Sequence, residues 1–142
     1  MNKEKALKLL MDYLDEYGEF FVFHSSFVSE FQEMLLQNAK GAEKEVFNLL
    51  VKQLSFVKLL GVRVDCADGN EKLKGMTSGE EYYSLHIQNK IVNIRLLMTF
   101  YSEVPIFLAA FNEKEGKKAT DYSQWERVIK ARSKQILERY GC

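Results

Sequence analysis

A chain of 142 residues, 46% hydrophobic and 28% charged, is one globular domain by length and ordinary by composition. Its formal net charge of zero removes any whole-chain attraction to nucleic acid. Cys66 and Cys142 form no disulfide framework, no apolar run approaches the ~18 residues of a membrane helix, and the N-terminus lacks a signal-peptide core, so a cytoplasmic protein without membrane contact is expected.

Residues 2–17 place Leu7, Leu10, Leu14 and Tyr17 on one face, which predicts a helix stopped by Gly18. That helix packs on the domain or meets a partner, and residues 1–18 are read as an extension of a domain spanning 19–142. Phe20–His24 predicts a short buried strand, and Ser25-Ser26 predicts the cap of a helix over Phe27–Ala39. A second helix follows at Glu43–Leu60, where Gln53 interrupts the apolar line of Val46, Leu49, Leu50, Val57 and Leu60. The two make an αα-hairpin that needs an apolar surface to lie on. Asp65–Glu81 is loop-like, with a small strand at Lys72–Lys74 as an option.

The stretch 82–118 supplies that surface. Strands are predicted at Tyr82–Gln88, Ile91–Tyr101 and Val104–Phe111, joined by turns at Asn89-Lys90 and Ser102-Glu103. Pro105 sits near a strand start, where a missing N–H is tolerated. A last helix begins near Thr120 or Asp121 and runs to Tyr140. The expected fold class is α+β: a small, mainly antiparallel sheet with the αα-hairpin on one face, a C-terminal helix and an extra N-terminal helix.

No Gly-rich phosphate loop, zinc constellation or nucleophile elbow is present, so no cofactor and no metal are expected. What remains is cationic and polar. Arg95 lies mid-strand, which is costly unless it finds a partner or an open face. By alternation Asn93 and Arg95 share a face, and a two-residue turn puts His86 opposite Asn93 with Arg95 diagonal to it. Such residues are either a structural histidine and a salt-bridged arginine, or a patch able to hold a phosphodiester. Lys114, Lys117 and Lys118 follow the third strand, and Lys72 and Lys74 precede the first; either set is a solvated surface or a phosphate-binding rim. Tyr122 stands at the entry to the last helix, where it is placed to stack on a base or move a proton. From Lys114 onward, eight Lys/Arg face four acids.

The order FVFH, SSFVSEFQEMLLQ, EKEVFNLLVKQL, KLKGM, YYSLHIQ, NIRLLMTF, IFLAAFNEKEGKK and a terminal helix resembles the RelE/ParE toxin superfamily, in its HigB-like, phage-derived branch, over about residues 20–138. The resemblance implies a RelE-like fold. It implies a type II toxin of a toxin–antitoxin pair, an mRNA endoribonuclease working at the ribosome through 2′-hydroxyl attack on the phosphodiester. A helix-turn-helix antitoxin is the implied protein partner, and self-association is a further option. The catalytic set it implies is Arg95, His86, Lys114 and Tyr122, with Lys72, Lys74, Lys117 and Lys118 on the RNA. His86 stands where the pattern has arginine, Ala109 where it has histidine, Ile94 where it has tyrosine and Glu113 where it has lysine. These departures keep a second expectation open: a catalytically eroded member that binds an antitoxin or another protein and cuts no RNA.

Overall fold

A computed structural model of the chain describes residues 3–18, 20–73, 81–113 and 122–139. The described elements are α1 (Lys3–Tyr17), β1 (Val22–Phe23), α2 (Ser25–Gln37), α3 (Glu43–Leu60), β2 (Glu71–Leu73), β3 (Tyr82–Gln88), β4 (Asn93–Tyr101), β5 (Val104–Asn112) and α4 (Ser123–Arg139). A 3₁₀ turn at Gly61–Cys66 follows α3. The protein is α+β, with one five-stranded mixed sheet in the order β1-β5-β4-β3-β2. β1 runs parallel to β5, and the other pairings are antiparallel.

Alternation divides the sheet's side chains between two cores. On one face Leu85, Ile87, Ile94, Leu96, Met98 and Phe107 pack under α2 and α3. Leu10 and Leu14 of α1 are buried in the same cluster, so the N-terminal helix is part of this core. On the other face Leu97, Leu108 and Ala109 meet Ile129 and Ile136 of α4. A bulge sets Leu97 opposite Ala109 but Met98 opposite Phe107, which turns both Leu108 and Ala109 toward α4. The face that carries His86 and Arg95 is therefore covered by α4 in its middle, not open as the sequence suggested.

Two local expectations change. His24, not a serine, is the N-cap of α2: its Nδ1 accepts from the Ser26 N–H at 3.0 Å, and its Nε2 bonds Gln135 of α4 at 2.7 Å. The β3–β4 connection spans residues 89–92 rather than two residues, because the Asn89 side-chain oxygen accepts from both the Ile91 and Val92 N–H groups. The register shifts by two residues, so His86 lies opposite Arg95, and Gln88 opposite Asn93. The Ser102-Glu103 turn joins β4 to β5 as expected, with φ of 49° and 69° at its two residues.

Both edges of the sheet outrun their outer strands, and side chains take over the ladder. β2 stops pairing at Ser84; beyond it the His86 N–H donates to Asn70 Oδ1 at 2.8 Å, and the His86 carbonyl accepts from Gln53 Nε2 at 2.9 Å. Asn70 Nδ2 donates in turn to Gln53 Oε1 at 2.9 Å. Gln53, the one polar residue in the apolar line of α3, is buried for this reason. At the other edge Arg132 of α4 donates to the Leu108 carbonyl at 2.9 Å and to both carboxylate oxygens of Glu30, at 2.7 and 2.9 Å. Glu30 accepts from the Ala110 N–H. Among the described residues no helix is long and apolar enough to cross a membrane.

Candidate functional site

The α4-side face of β3 and β4 ends in polar residues beyond the reach of the α4 core. His86 and Arg95, paired across the ladder, are the centre of this patch. A guanidinium at a half-buried strand position has to be met by acceptors. Arg95 Nε donates to Glu113 Oε1 at 2.5 Å, and Nη1 donates to the Gly69 carbonyl at 2.8 Å. Its side chain is 15% exposed and Glu113 is 14% exposed, so the pair is mostly shielded from water. Nη2 meets no acceptor among the described residues.

The His86 ring lies against the same group. Nε2 bonds Asn93 Oδ1 and stands 3.8 Å from Glu113 Oε1. An amide oxygen only accepts, so the imidazole donates from Nε2, and Nδ1 is its second ring nitrogen. That nitrogen faces Gly69, where an added Cβ would stand 3.2 Å away. Gly69 also has φ of +82°, so two separate constraints ask for glycine at this position. Backbone bonds frame the patch: Glu113 N–H donates to the Asn93 carbonyl at 2.7 Å, which fixes Glu113 beside Arg95.

Tyr122 completes the patch from the start of α4. Its hydroxyl donates to Glu71 Oε1 at 2.6 Å and lies 2.8 Å from Ser84 Oγ, and Glu71 and Ser84 are themselves cross-strand partners. Burial pushes the phenol up to about 12, and the bond to the Glu71 carboxylate adds to the shift. The Arg95 charge acts on the same phenol in the opposite sense. The ring leans edge-on to Phe111, which stacks on Trp125 at 4.8 Å.

Three of the residues singled out in the sequence, His86, Arg95 and Tyr122, thus come together on one face. Lys72 does not join them. It is the middle residue of β2, so it projects to the face opposite Glu71 and Leu73, where it pairs with Glu81 at 3.0 Å above the Tyr83 ring. The bond to Glu81 raises its amine above the usual lysine range. Lys74, Lys114, Lys117 and Lys118 lie outside the described residues. Glu113, Gly69, Asn70, Glu71 and Ser84 belong to the patch and were not singled out as site residues. An Asp-Gly-Asn run at 68–70 was the available signal for the first two loop contacts, since such runs turn the backbone back on a neighbour.

The assembled chemistry is an imidazole, a shielded guanidinium with one amine that meets no acceptor among the described residues, and a phenol held protonated through the neutral range. Two carboxylates, Glu71 and Glu113, offset the cation. Among the described residues no three His, Cys, Asp or Glu side chains converge as metal ligands. No protein-family model matches this chain, and neither does any curated protein or solved structure.

Proposed function

We propose that the chain is a toxin of the RelE/ParE-like, HigB-like kind, with a RelE-like fold, that cuts mRNA in the cytoplasm and is held inactive by an antitoxin. The observation that carries this reading is the pairing of His86 with Arg95 across β3 and β4, with the Tyr122 hydroxyl on the same face. RNA cleavage without a metal needs a base for the 2′-hydroxyl, positive charge for the phosphorane and a proton for the leaving oxygen. The His86 imidazole takes the 2′-hydroxyl proton as O2′ bonds to phosphorus. The open Nη2 of Arg95 meets the developing charge. Tyr122 protonates O5′ as the P–O5′ bond breaks, leaving a 2′,3′-cyclic phosphate and a 5′-hydroxyl; the imidazolium then releases its proton to solvent and the phenolate takes one back from it. Lys74, Lys114, Lys117 and Lys118 add charge along the RNA in this reading, whereas the outward, Glu81-paired position of Lys72 gives it no such part.

One observation favours the second reading, a binding member without nuclease activity. The Arg95–Glu113 pair is already closed at 2.5 Å, and an approaching phosphate also meets the Glu113 carboxylate. Inducible expression with primer extension on a reporter transcript separates the two. The nuclease reading expects growth arrest and discrete cuts that disappear in Arg95→Ala and His86→Ala. Intact transcripts with wild-type protein and ribosomes present, together with tight capture of the antitoxin, select the binding reading.

A further inference from the structure

A cleft of about 290 Å³ opens beside His86, at the edge of β3 where β2 has ended. Its walls come from α3, from the 68–69 turn and from the end of β3. The volume is close to the lower bound of small-molecule sites, roughly 300 Å³, which suits one planar ring system and not a peptide. Phe56 forms an apolar wall, half-buried and packed against the main core. Lys52 holds its amine 5.8 Å from the centre of that ring. Asp68 and Gln88 are exposed at the mouth, and neither side chain meets a hydrogen-bond partner among the described residues. At the back, the Gln53 amide donates to the His86 carbonyl and accepts from Asn70, which fixes its orientation. Gly69 joins the cleft to the catalytic patch: it lines the one, and its carbonyl holds Arg95 in the other.

We infer that this cleft takes a nucleobase with an exocyclic amino group, the base next to the scissile linkage. The identity of the ligand as substrate RNA rests on the function proposed above. The chemistry of the lining picks the ligand class. A half-buried aromatic ring that packs on the core and lies in reach of a lysine amine is a stacking surface, and every base has a π face to offer. As the base stacks on Phe56, Lys52 leaves the ring and reaches the phosphate on the same nucleotide. Asp68 accepts only, so it selects amino-bearing edges, and Gln88 supplies the matching donor and acceptor. Adenine, cytosine and guanine satisfy this arrangement with an exocyclic amine, whereas uracil offers Asp68 a single N3–H flanked by two carbonyl oxygens that repel the carboxylate.

The test is a titration of the isotope-labelled full chain with AMP, CMP, GMP and UMP at millimolar concentration, read by amide chemical shifts. Saturable shifts at residues 52–56, 68–69 and 86–88 are expected for the three amino-bearing nucleotides, with UMP at least threefold weaker, roughly the loss of one hydrogen bond. Phe56→Leu is expected to weaken binding about tenfold, the scale of one base stack. Asp68→Asn, at an exposed position that leaves the fold intact, is expected to bring UMP level with the others. Shifts elsewhere, no shifts at all, or equal binding of UMP to wild type would overturn the inference. Cleavage by wild type in the absence of nucleotide binding removes the cleft and keeps the nuclease; nucleotide binding at these residues without cleavage does the reverse.

Discussion

The Tyr122 hydroxyl sits between a carboxylate and a serine under the shelter of Phe111, and its proton is therefore held tightly. A free tyrosine titrates near 10.0, and this one is pushed up to about 12, by burial first and by the Glu71 bond second. The sign follows directly. Below pH 10 the phenol is neutral in folded and unfolded chains alike, and its bonds stabilise the fold in full. Above pH 10 the unfolded chain gives up this proton and the folded chain does not, so the contribution is lost as the pH climbs toward 12. Urea denaturation of wild type and Tyr122→Phe at several pH values checks this: wild type is expected to lead by about 1 kcal/mol at pH 8. The lead should shrink between pH 10 and 12, and a constant gap across that window would show that the phenol is not held as described. Residue identities of this kind were readable in advance for His86, Arg95 and Tyr122, because a polar group in an apolar strand, or at a helix entry, stands out. Glu113 was not readable as the partner of Arg95, because an acid one residue past a strand looks like any solvated turn charge.

At the scale of elements, periodicity located the helices and strands, and turn chemistry decided their register. The Asn89 side chain closes a four-residue connection that a two-residue reading of Asn89-Lys90 does not contain. That difference moves every β3–β4 pair by two residues and puts the imidazole straight across from the guanidinium. The Ser102-Glu103 turn runs the other way. It is a two-residue hairpin with positive φ at both positions, which suits Asn-Gly and strains serine and glutamate. Replacing the pair by Ser102→Asn and Glu103→Gly is expected to stabilise the hairpin by about 1 kcal/mol and raise the melting temperature by roughly 2–4 °C. A lower melting temperature in that variant would mean that the present side chains make a contribution at the tip that backbone conformation does not describe. Gln53 is the element-scale lesson in the other direction. Its place in the apolar line of α3 was legible, but its task was not, since the strand edge it completes lies 33 residues away in sequence.

For the whole molecule, the sequence showed how many elements there are and which sides are apolar, but not which of them share a layer. The N-terminal helix was read as an addition to a domain beginning at residue 19, yet Leu10 is fully buried and Leu14 nearly so within the main core. Leu10→Ala is expected to cost about 2–4 kcal/mol in urea denaturation, the usual cost of a cavity at a closed site. A loss below about 0.5 kcal/mol, the size of a surface substitution, would show α1 to be a dispensable arm. The position of α4 was the other unreadable fact: its apolar residues needed a surface, and both faces of the sheet offered one. Its coverage of Leu97, Leu108 and Ala109 leaves only the His86–Arg95 end of that face for chemistry.

The plugs on the two flanks of the sheet have an outcome beyond this one molecule. A bare strand backbone is a template on which further copies of a protein stack into fibrils. Here the amides of Gln53 and Asn70, and the Glu30–Arg132 ion pair, occupy those templates without adding another strand. Cutting Gln53 back to alanine therefore uncovers a docking rail for neighbours, and its first symptom is concentration-dependent clumping on storage.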